Sequence, residues 1–159
     1  DKTREIYLYD TFEGMGKPAQ EDIDLKGNRA EELLASESKD NHSGIRAIAS
    51  MDEVKENIAL TKYPIENIHF IKGSVEKTLS ESSIPESIAL LRLDTDWYES
   101  TKIELNILFP KLVIEGVIVI DDYGHWNGAR KAVDEYIKEN RLQLFLSRID
   151  YTGRIAIKQ

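Results

Sequence analysis

The spacing of apolar and polar residues changes several times along the chain, and each change marks an element. "EIYLYD" alternates and is rich in β-formers, which predicts a strand ending at Asp10. "TFEGMGKPAQED" carries two glycines and a proline and reads as a loop. Helical spacing of Leu25, Ala30, Leu33 and Leu34 predicts a helix from about Ile23 to Leu34. "SESKDNHSG" is polar and turn-rich, as expected of an exposed loop. In "SMDEVKENIALTKYP" Ser50 stands three residues before Glu53, the spacing of a capping box, so a helix is expected there that ends before Pro64. "NIHFIKG" predicts a second strand and "SVEKTLSE" a short helix or turn.

The second half is more regular. "IALLRLD" predicts a third strand, "YESTKIELNILFPKL" a helix ended or bent near Pro110, and "GVIVIDD" a fourth strand. "NGARKAVDEYIKEN" is amphipathic, with Ala129, Ala132, Val133, Tyr136 and Ile137 on one face. "LQLFLSRID" and "GRIAIKQ" predict a terminal hairpin around Tyr151, Thr152 and Gly153. Strands alternating with helices imply an α/β fold, a mostly parallel sheet flanked by helices with an antiparallel edge at the end. No internal repeat or low-complexity segment interrupts it. At 159 residues the whole chain, 1–159, is expected to form a single domain.

Composition narrows the function. Hydrophobic residues at 41% and charged residues at 31% are ordinary for a globular protein. The formal net charge of -8 argues against nucleic acid or an anionic membrane surface as partner. The sequence has no cysteine, which excludes disulfides, zinc–thiolate sites and thiol catalysis and suits a cytoplasmic protein. No apolar run approaches a membrane span, and no signal peptide is expected. The strand pattern begins within a few residues of Asp1, as expected of a fragment, an excised domain or a shortened variant.

The chemistry concentrates where two apolar strands stop. Ile88, Ala89, Leu90 and Leu91 lead to Asp94 and Asp96; Val117 to Ile120 lead to Asp121 and Asp122. Ligands of open α/β sheets bind at the carboxyl ends of strands, and two strands joined by one helix run parallel. If they are neighbours, the carboxylates converge and repel, and a divalent cation relieves the repulsion. Oxygen ligands favour magnesium, calcium or manganese, so Asp94, Asp121 and Asp122 are candidate ligands. The competing explanation is that Asp96 and Asp122 merely cap the helices that follow them. Arg92, inside the strand, either answers a buried acid or pairs at an edge. Trp97 and Trp126 wall a ring-binding pocket or are simply packing.

The run "LLRLDTDWYESTKIELNILFPKLVIEGVIVIDDYGHWNGARKAVDEY" resembles the macrocin O-methyltransferase family. Upstream, "YDTFEGM" is similar to the family's Asp-Ser/Thr-Phe-Glu-Gly segment and "IHFIKGSVEKTL" to its segment after the third strand. The resemblance covers most of the chain and is weakest between Gly16 and Gly44. It implies a Rossmann-like class I methyltransferase fold, use of S-adenosylmethionine with magnesium, and a small hydroxylated acceptor such as a sugar. Asp94, Asp121 and Asp122 then match the metal ligands and Asp96 the general base. Asp10 matches the acid near the cofactor ribose, and Gly73 and Ser74 the passage beside the adenine. From their place just after the second acid pair, Tyr123 is a candidate substrate contact and His125 a candidate base or substrate contact. Two residues from Asp94 along an extended segment, Asp96 is expected on the same side as that ligand.

One departure stands out. The family's glycine-rich cofactor loop follows a first strand, whereas "IYLYDTFEGM" matches the second, so the first strand and that loop are expected to be missing, with weak S-adenosylmethionine affinity at best and weak or no activity of the chain alone. Three outcomes follow: direct pairing of the "IYLYD" and "LRLD" strands, cover from another copy in a homo-oligomer, or a fragment of a larger enzyme. A non-catalytic, degenerate module kept for assembly or binding is the alternative in function. A glycosyltransferase with a D-x-D metal site leaves Asp121 and Asp122 unexplained. A haloacid-type phosphotransferase wants Thr or Val where Tyr98 stands.

Overall fold

The computed structural model describes residues 2–37, 44–81 and 84–159. The expected exposed loop "SESKDNHSG" lies largely outside them. The chain divides into two compact units, Asp1–Gly16 with Ser36–Ser82, and Lys17–Ala35 with Ser83–Gln159.

The first unit is built on β1 (Ile6–Asp10). α1 (Ala30–Ser36) falls almost wholly in the other unit. The first unit continues with α2 (Met51–Leu60), β2 (Ile68–Lys72) and α3 (Val75–Glu81). β1 and β2 pair in parallel from Ile6 with Ile68 to Asp10 with Lys72. α2 starts where the capping box was expected: Ser50 Oγ accepts the Glu53 N–H, and the Glu53 side chain accepts the Ser50 N–H at 2.9 Å. Ile68, Phe12, Val75 and Leu79 are the buried apolar residues here.

The second unit holds β3 (Ile88–Leu93), α4 (Tyr98–Leu108), β4 (Leu112–Ile120), α5 (Asn127–Glu139), β5 (Ser147–Arg148) and β6 (Arg154–Ile157). Its sheet order is β3-β4-β6-β5, with β3 and β4 parallel and the last two pairings antiparallel. Pro110 ends α4 through a short 3-10 turn, Phe109–Lys111. Period-two burial puts Leu91, Leu93, Ile118, Ile120 and Ala156 inside. The predicted face of α5 is buried at Ala129, Ala132, Val133 and Tyr136, and Tyr136 meets Phe109 edge-on, ring centres 5.5 Å apart.

One irregularity sets the register of the site. Ile88 pairs with Leu112, but Leu90 pairs with Val117, so β4 spends extra residues in a bulge. Glu115 there has a φ of 64°. Lys158 clamps the bulge: its N–H donates to the Gly116 carbonyl at 2.9 Å, and its Nζ donates to the Leu112 carbonyl at 2.6 Å.

Two expectations need correction. The helix predicted from Ile23 begins only at Ala30, because Ile23 bridges to Arg29 and Asp24 to Trp126. Asp24 Oδ1 accepts the N–H groups of Lys26 and Asn28, which holds the intervening residues in a turn. The hairpin strand predicted from Leu142 forms a ladder only at Ser147 and Arg148. In the first unit "IYLYD" pairs with "IHFIK", and in the second "IALLRL" pairs with β4.

Candidate metal centre

β3 and β4 end level with each other. Leu93 pairs with Ile120, and the Asp121 N–H extends the ladder by donating to the Leu93 carbonyl at 3.0 Å. The next residues, Asp94 and Asp121, therefore leave adjacent strands at the same height. Asp94, Asp121 and Asp122 each offer a carboxylate oxygen, all within 4.8 Å of one another. Arg92, two residues before Asp94, places one Nη2 atom 3.1 Å from Asp94 Oδ2 and 3.2 Å from Asp121 Oδ2.

The electrostatics are those of crowded acids. Partial burial, a hydrogen bond to Asp121 and repulsion from Asp121 and Asp122 raise the Asp94 carboxyl to about 7 against the pull of Arg92. Burial, with repulsion from Asp96 and Asp121, raises Asp122 to about 8. Asp122 Oδ2 is a buried oxygen without a hydrogen-bond partner. A buried carboxylate oxygen left unsatisfied is costly, and a cation would satisfy it. The all-oxygen donor set and this orphaned atom fit a hard divalent ion.

Asp96 reaches the cluster by a different route from the one expected. The chain leaves the extended conformation after β3, and Asp96 has a φ of 65°, a left-handed conformation that Asp tolerates better than most residues. The turn is tied down by the Trp97 N–H on the Thr95 carbonyl at 2.7 Å and by Thr95 Oγ1 donating to Glu104 Oε2 at 2.9 Å. The Trp126 indole Nε1 donates to Asp96 Oδ2 at 3.1 Å. Burial raises Asp96 to about 6, with the Trp126 hydrogen bond opposing and Asp94 reinforcing the shift.

Neither acid pair is explained by helix capping. Trp97 and Trp126 occupy the N-cap positions of α4 and α5, and neither contributes a side-chain cap. The first N–H of α4, that of Tyr98, is instead capped by Asp22 Oδ1 at 2.8 Å. Asp122 serves α5 through its backbone carbonyl, which accepts the Trp126 N–H at 3.0 Å. Trp97 and Trp126 pack edge-on with ring centres 5.0 Å apart and are both buried, and Trp126 serves Asp96 as a donor as well.

The remaining candidates lie as follows. Tyr123 donates its hydroxyl to Asp134 Oδ1 at 2.7 Å, between the guanidinium groups of Arg130 and Arg154, each 5.2 Å from the ring centre. Burial and Asp134 push its hydroxyl up to about 12. His125 Nδ1 is hydrogen-bonded to the Tyr151 hydroxyl, and its ring stands edge-on to Trp126 at 4.7 Å. Asp10, Gly73 and Ser74 come together in the first unit. The Gly73 N–H donates to the Asp10 carbonyl at 2.9 Å, and Gly73 turns the chain at a φ of 143°. The exposed Asp10 carboxylate accepts the Phe12 N–H at 2.6 Å through Oδ1, and the Ser74 carbonyl begins α3 by accepting the Thr78 N–H at 3.0 Å.

Sequence reasoning missed Asp22 and the Trp126 donor. Asp22 is 1% exposed, and its other oxygen accepts the Ala19 N–H at 2.6 Å. The signal available was an acid closing the loop "TFEGMGKPAQED", where a short polar side chain readily binds nearby backbone N–H groups.

Comparison with known proteins gives one coherent answer. The family model for macrocin-O-methyltransferase (TylF) matches residues 1–157. The demethyldecarbamoylnovobiocin O-methyltransferase of Streptomyces niveus is 29% identical over 152 residues, covering 96% of this chain and 54% of that protein. The mycinamicin III 3''-O-methyltransferase of Micromonospora griseorubida is 26% identical over 152 residues, covering 96% and 56%. The chain thus spans about half the length of the curated relatives it matches. Among solved structures, the O-methyltransferase NovP superposes with a TM-score of 0.79 at 26% identity, covering 99% of this chain and 61% of that one. A calicheamicin methyltransferase shares the fold at a TM-score of 0.65 and 17% identity, covering 99% and 61%.

Proposed function

Because the chain belongs to the macrocin-O-methyltransferase family, we propose that it carries the acceptor-activating acid cluster of an S-adenosylmethionine- and magnesium-dependent O-methyltransferase. The acceptor is a sugar or another polyhydroxylated small molecule. The observation that carries the reading is the grouping of Asp94, Asp121 and Asp122 oxygens within 4.8 Å beside the partnerless Asp122 Oδ2. The names of the relatives, O-methyltransferases of novobiocin and mycinamicin precursors, support the reaction class.

Asp94, Asp121 and Asp122 would hold the cation. Bound there, a divalent ion lowers the pKa of an acceptor hydroxyl and fixes its direction. Asp96 is the general base that takes the hydroxyl proton; its carboxyl, at about 6, is poised for that transfer near neutral pH. The Trp126 indole holds Asp96 Oδ2 and so orients the carboxylate. Asp10, Gly73 and Ser74 would hold the cofactor, which supplies a methyl group on a sulfonium; the exposed Asp10 carboxylate is an acceptor suited to ribose hydroxyls. Tyr123 and His125, being committed to Asp134 and Tyr151, act by shaping the loop after β4.

Two measurements test this. Calorimetric titration with magnesium is expected to show binding that Asp121→Asn combined with Asp122→Asn abolishes. Incubation with labelled S-adenosylmethionine and a panel of sugar and polyhydroxylated acceptors is expected to give a methylated product that Asp96→Asn suppresses. Magnesium binding without transfer to any acceptor would instead favour a non-catalytic binding module.

A further inference from the structure

Arg92 is placed where a cation belongs. An arginine facing acids ordinarily presents its fork to a single carboxylate. Here one nitrogen, Nη2, lies between two residues from two strands, 3.1 Å from Asp94 Oδ2 and 3.2 Å from Asp121 Oδ2. Both residues belong to the candidate ligand set, and Asp122, the third member, keeps its Oδ2 unpartnered. The Arg92 side chain is 55% exposed, so its head has water to move into while its stem stays on the strand. A guanidinium keeps its charge in proteins, so a dication arriving at the same oxygens meets a fixed like charge.

Resting on the metal reading above, we propose that Arg92 is a resident counter-ion of this site. It neutralises Asp94 and Asp121 before a divalent cation binds and is displaced when one does, so it sets how tightly the site takes metal. This differs from a supporting role, in which Arg92 would stay in place and orient the ligands. The two roles predict opposite signs. A competitor, once removed, leaves a tighter site; a support, once removed, leaves a looser one.

The experiment is calorimetric titration of magnesium, repeated with manganese read by its electron-spin resonance signal, on the wild-type chain, Arg92→Gln and Arg92→Lys. Arg92→Gln is expected to lower the dissociation constant about tenfold, a size set by one like charge near a partly exposed site. Arg92→Lys keeps the charge and is expected to stay near the wild-type value. Because residue 92 is exposed, both variants should fold, and melting curves check this. In chelator Arg92→Gln should melt below wild type, with the gap closing or reversing in saturating magnesium. Weaker or unchanged binding in Arg92→Gln overturns the proposal while leaving the metal site standing. Absence of binding in all three chains overturns the metal reading itself, and the counter-ion role with it.

Discussion

Asp22 and Tyr98, 76 residues apart, are joined by a hydrogen bond from the Tyr98 N–H to Asp22 Oδ1 at 2.8 Å. The loop before α1 thus caps α4, the helix that follows the D-x-D turn. Removing a side-chain cap costs about 0.5–2 kcal/mol, and the Ala19 N–H would lose its acceptor as well. Asp22→Ala is expected to destabilise the chain by about 2 kcal/mol, which for this size corresponds to a melting point lower by roughly 4–8 °C. Asp22→Asn keeps an acceptor for Tyr98 but turns an amide toward Ala19, and should cost less than the alanine. Thermal denaturation followed by circular dichroism decides both.

Stability should depend on pH in an unusual direction. Asp94, Asp96 and Asp122 stand at about 7, 6 and 8 in the folded chain, against about 3.9 for an unfolded aspartate. Between about pH 4 and 8 the folded state therefore holds more protons than the unfolded state, and unfolding free energy falls as pH rises. Without divalent cation, the melting point is expected to drop steadily across that window. If the proposed site takes magnesium, the drop should flatten in its presence, since a bound cation would replace the protons. A melting point that climbs from pH 5 to 8 in chelator would contradict the crowding of these acids.

Trp126→Phe isolates the donor to Asp96. Phenylalanine retains much of the packing against Trp97 but has no N–H. Deleting one partner of a buried hydrogen bond costs about 1–3 kcal/mol. If Asp96 is the base, kcat in the methyl-transfer assay should fall about tenfold or more while the acceptor KM changes little, the pattern of a lost transition-state interaction. The near-ultraviolet circular dichroism of the Trp97–Trp126 pair reports whether the packing survives.

Gly124 tests the loop after β4. A Cβ there would lie 1.9 Å from the Tyr151 carbonyl oxygen, and the Gly124 N–H donates to the Thr152 carbonyl at 2.8 Å. Gly124→Ala must push the 150–153 turn away and is expected to cost about 1–3 kcal/mol. Hydrogen exchange should show lost protection at residues 124 and 153–155.

Much of this was legible because the local signals and the packing agree. The Ser50–Glu53 box fixed the start of α2, Pro110 marked the end of α4, and the apolar runs before Asp94 and Asp121 announced two parallel strands with acids at their ends. The errors came where long-range partners decided the outcome. Leu25 has helical spacing with Leu33, but Asp24 binds its own loop backbone and bridges to Trp126. Residues 142–146 do alternate in exposure, as a strand would, yet β6 pairs only with Ser147 and Arg148. Asp96 and Asp122 precede α4 and α5 closely enough to suggest caps, yet Trp97 and Trp126 hold the cap positions and Asp22, from a distant loop, binds the first N–H of α4. The left-handed turn at Asp96 has no signature stronger than the aspartate itself.

The β4 bulge carries one more consequence. In a strand, slipping by a single residue would send Asp121 and Asp122 to opposite faces. The phase of those acids is chosen upstream, at residues 112–116, and locked by Lys158, the residue just after β6. If the acids hold a cation, mutants with altered cation preference should therefore turn up away from the acids, at Glu115, Gly116 and Lys158, where insertions, deletions or loss of the clamp would retune the spacing of the acids without touching one of them.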